Sequence, residues 1–269
     1  RHGLDPRKSL GQNFLLDLNL TGRIARAAAP LDGHTVVEVG PGPGGLTRAL
    51  LAHGADRVVA VERDDRCLAA LAEVSAAWPG RLAVSRADAL EIDMAALGPA
   101  PRKVVANLPY NISTPLLFRW LRDITAWERL VLMFQKELVD RMAAGPGSKT
   151  YGRLSVMAQW LCRVEPLFTV PPRAFTPAPK VDSTVVSLTP RPEPLAPAPF
   201  DAMETVVAAA FGQRRKMLRQ GLKPLAGKDA EALLHTAGLE PTQRAEAIPV
   251  EGFCALARAW DATPRRAGG

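Results

Sequence analysis

The sequence predicts an α/β fold in which helices cover a parallel sheet, followed by a small all-α domain. Short apolar runs alternate with helical patterns over the first part of the chain, and such alternation is typical of parallel sheets. A glycine-rich turn follows the first run, as in nucleotide-binding folds. A proline-rich stretch then precedes a helical C-terminal part. We therefore expect three segments: a sheet domain over 1–189, a linker over 190–199 and a helical domain over 200–269.

Composition narrows the classes of function. The 269 residues are 47% hydrophobic and carry a formal net charge of +7, which allows a large core and suggests a polyanionic partner. The three cysteines form no CxxC pair and the four histidines share no ligand spacing, so we expect neither a disulfide framework nor a metal. No signal peptide or membrane-length apolar run is present, and we expect a cytoplasmic protein without a membrane partner.

The first half of the sheet domain contains the nucleotide-binding pattern. A helix capped by Asp17 should come first and extend to about Ala29. Thr35–Val39 then reads as a buried strand, and it runs into Gly40-Pro41-Gly42-Pro43-Gly44-Gly45 and a helix over 46–52. Glycine lets the backbone approach a ligand, and the helix N-terminus offers free N–H groups. A second strand over 57–61 ends at Glu62, where a carboxylate can accept from both ribose hydroxyls of an adenosine.

The glycines alone leave two cofactors open. The turn fits the dinucleotide pattern GxGxxG, and through Glu38 it also fits ExGxGxG, the form seen in methyltransferases. A third strand over 81–85 leads to Asp88, whose carboxylate could accept from an adenine amino group. The alternative for Asp88 is an ordinary helix N-cap.

The segment Asn107-Leu108-Pro109-Tyr110 follows a fourth apolar run over 103–106. It should lie at the carboxyl end of a buried strand, where open α/β sheets bind ligands. Asn107 offers an amide oxygen that can accept a hydrogen bond from an amine. Pro109 can turn the Leu108 carbonyl toward that amine, and Tyr110 offers a flat ring. These groups could hold an exocyclic amine on a planar base. A simple strand-end turn is the alternative.

The remaining elements complete a sheet domain and a helical domain. Pro115 should be the first residue of a helix that ends near Leu121. Two final strands without an intervening helix suggest an antiparallel addition at the sheet edge. The other predicted strands cover 129–135, 164–170 and 181–188, and the other helices cover 136–143, 154–161, 200–211, 229–237 and 250–260.

Together these motifs make the chain resemble the KsgA/RsmA family of ribosomal RNA adenine dimethyltransferases. The match covers nearly the whole chain. It rests on the stretches 11–15 (GQNFL), 38–42 (EVGPG), 107–115 (NLPYNISTP), 151–156 (YGRLSV), 175–183 (FTPAPKVDS) and 211–216 (FGQRRK). One departure is visible, because the family's second strand often ends Glu-Leu/Ile-Asp, whereas here Arg63 stands between Glu62 and Asp64.

The resemblance implies a Rossmann-like S-adenosylmethionine-dependent methyltransferase sheet with a small C-terminal all-α domain. It also implies transfer of methyl groups from S-adenosyl-L-methionine to N6 of two adjacent adenosines in the 3′-terminal hairpin of 16S rRNA, leaving S-adenosyl-L-homocysteine. The implied partner is the small ribosomal subunit, and we expect a monomer.

Site residues follow by position. The implied cofactor contacts are Asn13, Leu15, Gly40, Glu62, Asp88 and Asn107. The implied holder of the target base comprises Asn107, Leu108 and Tyr110. Phe175 is expected to stack on the other face of that base, and its alternative is a buried core phenylalanine.

A basic run after the linker is the predicted contact with RNA. Gly212 should break one helix and start another that carries Arg214, Arg215, Lys216 and Arg219, and such clusters bind phosphates. A solvated helix face is the alternative.

Three rival functions remain open from the sequence: a large-subunit rRNA adenine methyltransferase, a non-catalytic ribosome-assembly checkpoint, and a dehydrogenase. The dehydrogenase is the weakest of the three, because it gives no role to Asp88 or to the segment 107–110.

Overall fold

The computed structural model describes residues 13–263. The chain divides into two compact units, which are treated separately. The first comprises residues up to Val139 together with Glu165–Pro190, and the second comprises Asp140–Val164 together with the residues from Arg191 onward. No helix within residues 13–263 is long and apolar enough to span a membrane.

The first unit is built on a seven-stranded sheet with the strand order β4-β3-β2-β5-β6-β9-β7. The strands are β2 (Thr35–Val39), β3 (Arg57–Glu62), β4 (Leu82–Arg86), β5 (Arg102–Asn107), β6 (Arg129–Gln135), β7 (Cys162–Val170) and β9 (Ser183–Pro190). Strands β4, β3, β2, β5 and β6 pair in parallel, and β9 runs antiparallel to β6. The predicted parallel sheet with an antiparallel addition is therefore confirmed.

Helices alternate with most of the parallel strands, as the sequence pattern predicts. They are α1 (Leu18–Ala27), α2 (Gly45–Ala52), α3 (Leu68–Ala77), α4 (Ser113–Arg122) and α5 (Lys136–Ala143). Asp17 caps α1 by accepting from the N–H groups of Asn19 and Leu20. Helix α3 was not predicted, and Pro115 is the third residue of α4 rather than the first.

The inner strands are buried because valines fill both of their faces. All five residues of β2 are buried, as are the four central residues of β5. One of those four is Lys103, whose ammonium donates to the carbonyl oxygens of Ala28 and Pro30 and pairs with Glu128 at 3.3 Å. Burial lowers the pKa of Lys103, and Glu128 opposes that change.

A two-stranded sheet was not predicted. Strands β1 (Phe14–Leu15) and β8 (Phe175–Thr176) pair antiparallel, with Leu15 opposite Phe175. This pairing joins two segments that lie 160 positions apart in the chain, so no local pattern could indicate it.

The second unit is helical. It contains α6 (Arg153–Leu161), α7 (Phe200–Gly212), α8 (Leu218–Gly221), α9 (Lys223–Ala226), α10 (Ala230–Thr236) and α11 (Val250–Asp261). Helix α11 packs against both α7 and α6. The phenol of the fully buried Tyr151 donates to the carbonyl oxygen of Ile248 at 2.9 Å, and its ring meets Phe211 edge to face.

This division corrects the predicted domain boundaries of 1–189 and 200–269. Residues 140–164 belong with the C-terminal helices, because α6 packs on α7 and α11. The proline-rich stretch is not a free linker either. The N–H groups of Arg191 and Leu195 donate to the carbonyls of Leu161 and Trp160, and the Trp160 indole donates to Ala196.

Candidate active site

One cavity opens at the carboxyl ends of β2, β3 and β5, and five separate stretches of the chain line it. They are residues 13–15, the turn over 38–46, the end of β3 over 61–64, the segment 87–89 and the segment 107–112. Parallel strands bring their carboxyl ends to one edge, which explains why motifs so distant in sequence share one cavity. Gly11 and Gln12, which belong to the first motif, lie outside the described residues.

Two glycines of the turn have a positive φ, which side chains rarely adopt, and one of them also leaves no room for a Cβ. Gly42 has a φ of 55°, and a Cβ there would lie 2.9 Å from the ring of Phe14. Gly40 has a φ of 68°, and a Cβ there would lie 3.4 Å from the Pro109 ring. The turn therefore lies directly against the Asn107 to Tyr110 segment, which links the predicted cofactor site to the predicted base holder.

The predicted ribose acid, Glu62, has an ordered carboxylate on the cavity wall. Its Oε2 accepts from Gly42 N–H at 3.0 Å, and its Oε1 accepts from the N–H groups of Arg63 at 2.9 Å and Asp64 at 2.8 Å. Burial raises the pKa of Glu62, and these three N–H groups oppose the shift. Oε1 already accepts two bonds and Oε2 only one, so Oε2 keeps one lone pair for a hydroxyl in a fixed orientation.

Asp88 lies on the same cavity, next to Arg63. Its Oδ1 accepts from Leu90 N–H at 2.9 Å, and its Oδ2 pairs with the Arg63 guanidinium at 2.8 Å. The residues that follow form a turn and not a helix. The alternative of a helix N-cap is therefore wrong, although the carboxylate does close an Asx-type turn.

Asn107 projects into the cavity with a defined amide orientation. Its Nδ2 donates to the main-chain oxygen of Asn13 at 3.2 Å. This bond assigns Nδ2 to the side facing Asn13 and leaves Oδ1 as a free acceptor. Leu108 is buried on the same wall, and within residues 13–263 no donor reaches its carbonyl oxygen.

Tyr110 completes the predicted base holder. Its hydroxyl lies 2.8 Å from the Oγ of Ser183, a fully buried residue at the start of β9. Burial raises the pKa of the Tyr110 phenol, so the ring stays neutral at physiological pH. Ser183 lies in the FTPAPKVDS motif, but no local pattern indicates that it anchors Tyr110.

Phe175 is not where the stacking prediction needs it. Its side chain is 4% exposed, belongs to the hydrophobic core with Leu15 and does not line the cavity. The β1–β8 pairing fixes this position because it sets Phe175 opposite the buried Leu15. In this structure the role of Phe175 is that of a core residue, which was the alternative. Leu15, a predicted cofactor contact, also contributes to the cavity wall.

Glu38 is a second buried carboxyl group beneath the glycine turn. It is 1% exposed and accepts from the Thr47 hydroxyl at 2.6 Å. Burial raises its pKa to about 8, although the Thr47 hydrogen bond opposes the shift and the nearby Glu62 adds to it. Glu38 is therefore largely protonated at neutral pH, so it adds no full negative charge beside Glu62.

These residues fit an adenosine-bearing sulfonium donor. The cavity has an ordered carboxylate for hydroxyls, a second carboxylate for an amino group, and a glycine turn too tight for side chains. Within residues 13–263, no group of three or more His, Cys, Asp or Glu side chains could hold a metal.

The four predicted RNA-binding residues belong to the helical unit and fall into two pairs. Helix α7 ends at Gly212 as predicted, but residues 213–216 form a turn and not a basic helix. Arg214 pairs with Glu246 at 3.1 Å, and Arg219 pairs with Glu231 at 2.9 Å. Arg215 and Lys216 are exposed, and neither has a partner within the described residues.

Comparison with known families covers almost the whole chain. A family model described as ribosomal RNA adenine dimethylase matches residues 3–261. The chain belongs to this family. The predicted KsgA/RsmA membership is confirmed, and so is the prediction that the chain is an rRNA adenine dimethyltransferase. Members of the family use S-adenosylmethionine, which agrees with the cavity.

Named relatives and solved structures agree with this membership. The ribosomal RNA small subunit methyltransferase A of Rhodospirillum rubrum is 69% identical, over 97% of this chain and 90% of that protein. Its counterpart in Paramagnetospirillum magneticum is 67% identical, over 97% and 92%. A dimethyladenosine transferase structure from Plasmodium falciparum has a TM-score of 0.76 at 25% identity, over 90% and 95%. The 23S rRNA methyltransferase ErmE has a TM-score of 0.67 at 29% identity, over 93% and 100%. The predicted methyltransferase fold is confirmed.

A first prediction tests the corrected position of Phe175. Replacing a core phenylalanine by alanine costs about 3–5 kcal/mol of unfolding free energy, whereas Phe175→Leu should cost only about 1 kcal/mol. If the ring only packs, the folded Leu variant keeps methyl transfer near the wild-type rate. Urea denaturation and initial-rate assays measure both quantities. A stable Leu variant with a large loss of activity would restore the stacking role.

A second prediction concerns Glu38. Because its folded pKa of about 8 lies above the ordinary value of 4.5, its protonation stabilises the folded state. That contribution is complete below 4.5 and is lost as the pH rises to about 8. The urea midpoint of the wild type should therefore fall over this interval more steeply than that of Glu38→Gln. If the urea midpoints of the two proteins changed with pH in the same way, Glu38 would not be a protonated carboxyl group in the folded state.

Proposed function

We propose that this chain transfers methyl groups from S-adenosyl-L-methionine to N6 of two adjacent adenosines in the 3′-terminal hairpin of small-subunit 16S rRNA. One observation carries the proposal: the free Oδ1 of Asn107 and the unpaired Leu108 carbonyl lie on the same cavity as the glycine turn and Glu62. Names of the Rhodospirillum and Paramagnetospirillum relatives support the small subunit as substrate.

Different cavity residues would contact different parts of S-adenosyl-L-methionine, the methyl donor. Glu62 would accept from the ribose hydroxyls, Asp88 from the adenine amino group, and Asn13, Leu15 and Gly40 would line the remainder. When bound, S-adenosyl-L-methionine supplies an electrophilic methyl group, and S-adenosyl-L-homocysteine remains after transfer. No metal is needed for this chemistry.

Asn107 and Leu108 would activate the target nitrogen. The lone pair of an adenine N6 is delocalised into the ring, which makes this nitrogen a poor nucleophile. Two oxygens that accept from its N–H groups favour a pyramidal nitrogen with a localised lone pair. The bond between Asn107 Nδ2 and Asn13 holds the amide in the orientation required for this, before substrate arrives. Positioning of this kind supplies most of the rate.

Proton transfer needs no strong base from the chain. The attacking amine becomes cationic only as the methyl group arrives, so its proton can leave to water afterwards. The groups near Asn107 agree with this, because Tyr110 is neutral and Glu38 is largely protonated at neutral pH. We therefore assign no histidine or cysteine a catalytic role.

Tyr110 provides one stacking surface for the extruded base. Extrusion costs a few kcal/mol, and stacking on one aromatic ring returns about 1–3 kcal/mol. Because Phe175 lies in the core, the hydrogen bonds to N6 must offset the rest of the free energy of extrusion. The bond from Tyr110 to Ser183 fixes the ring and reduces the entropy lost when the base binds.

The helical unit would contribute electrostatic affinity for rRNA. Arg215 and Lys216 are free to bind phosphates, whereas Arg214 and Arg219 hold the turn through their acidic partners. A small-subunit substrate places the protein in the cytoplasm, and we propose that it acts as a monomer.

The decisive experiment measures radiolabelled methyl transfer to unmodified small subunits, followed by nucleoside analysis. We expect N6,N6-dimethyladenosine at two adjacent positions of 16S rRNA. Asn107→Ala should lower kcat by about a hundredfold or more, because it removes an acceptor aimed at the reacting nitrogen. S-adenosyl-L-homocysteine should still bind to the variant. Absence of label from the wild-type reaction would overturn the proposal.

The same assay separates the two remaining rivals. The 23S rRNA methyltransferase ErmE has a similar fold, so label in isolated large subunits alone would identify a large-subunit activity. Cofactor binding without methyl transfer to either subunit would instead indicate an assembly checkpoint.

A further prediction separates the two pairs of basic residues. Neutralising the exposed pair, Arg215→Gln with Lys216→Gln, should reduce the slope of log affinity for small subunits against log salt by about 1 to 2. The control variant neutralises Lys223 and Lys228, two other exposed lysines of the helical unit, and removes the same charge. Equal slopes for the two variants would mean that net charge, and not this turn, determines binding.

A further inference from the structure

Arg63 directly follows the proposed ribose acid Glu62 and lines the cavity. Its main-chain N–H donates to Glu62 Oε1 at 2.9 Å, and its guanidinium donates to Asp88 Oδ2 at 2.8 Å. One residue therefore contacts both carboxylates that the proposed function assigns to the donor.

The contact with Asp88 fixes the plane of that carboxylate. Leu90 N–H holds Oδ1 and Arg63 holds Oδ2, so each oxygen accepts one bond from a different direction. A carboxylate held by the Leu90 N–H alone could rotate about its terminal bond, since that torsion is broad. With two donors in place, the remaining lone pairs point in set directions, and one of them is available to an amino group.

The Arg63 guanidinium also supplies the positive charge nearest to this carboxylate. Glu62, Asp64 and Asp88 all lie at the carboxyl end of β3 or beside it, and Arg66 is paired with Asp64 at 2.6 Å. The side chain of Arg63 is 65% exposed, whereas that of Asp88 is 21% exposed. A surface ion pair of this kind adds little to stability. A ligand that covers the pair would shield it from water and strengthen it.

We propose that Arg63 is a positioning residue of the donor site, which acts through Asp88 to orient the acceptor for the adenine amino group. The proposal rests on the proposed function in one respect, that an adenosine-bearing donor occupies this cavity.

The test compares binding of S-adenosyl-L-homocysteine by calorimetry in the full-length wild type, Arg63→Gln, Arg63→Leu and Arg63→Lys. We expect Arg63→Gln and Arg63→Leu to raise Kd about fivefold. Each variant loses one charge-assisted hydrogen bond, and the effect is modest because the ion pair is partly exposed to water. Arg63→Lys keeps the charge but not the planar fork, so its Kd should fall between those of the wild type and Arg63→Gln. In methyl transfer to small subunits, KM for S-adenosylmethionine should rise while kcat stays near the wild-type value.

Two further variants show whether Arg63 acts through Asp88. In an Asp88→Asn background, adding Arg63→Gln should leave Kd unchanged, because the clamp has lost its carboxylate. The matched control is Arg86→Gln. Arg86 is 67% exposed, forms an ion pair with Asp65 and does not line the cavity, so its loss should leave Kd and KM unaltered.

Three outcomes would overturn the assignment. Wild-type affinity in Arg63→Leu would reduce Arg63 to a packing residue, and additive losses in the double variant would show that it acts independently of Asp88. A higher KM for the small subunit with unchanged Kd would make it an RNA contact. If the wild type itself failed to bind S-adenosyl-L-homocysteine, the proposed function would fail first, so the two failures are distinguishable.

Discussion

The alignment of three neighbouring parallel strands is the constraint on which the site depends. Strands β3, β2 and β5 lie side by side in parallel, so the residues after each of them emerge at one edge of the sheet. Glu62, the glycine turn and Asn107 therefore meet although they are far apart in sequence. Two of these loops touch at Gly40, which lies against Pro109 and whose φ of 68° favours glycine. A shift in strand register would separate the donor contacts from the target-base contacts.

The two glutamates of the cavity reach different numbers of hydrogen-bond donors. Glu62 accepts three main-chain N–H bonds, which oppose the effect of burial on its pKa. Glu38 has the Thr47 hydroxyl as its partner, and burial raises its pKa to about 8. Glu62 thus offers an ordered acceptor on the cavity wall, and protonation of Glu38 removes one negative charge from its side. Such a difference between neighbouring carboxyls follows from the number of donors each can reach.

The target side of the cavity relies on neutral groups held rigidly. Asn107 is oriented by the Asn13 carbonyl and Tyr110 by Ser183. Each holding partner comes from a distant part of the chain. This arrangement suits a reaction in which the chain must position a weak nucleophile and need not remove its proton first. In the helical unit, Arg215 and Lys216 have no side-chain partner within the described residues, so the RNA binding proposed for them would be electrostatic.

The sequence by itself determined the parallel sheet, the glycine turn and the acids and amide at the strand ends. Valine-rich runs, helix periodicity and glycines are local signals, and parallel strands bring their ends together in any such sheet. Only the tertiary structure decided that Phe175 packs in the core, that Ser183 anchors Tyr110, that Arg63 holds Asp88, and that residues 140–164 join the helical unit. These outcomes depend on strand register and on partners distant in sequence, which local patterns do not specify.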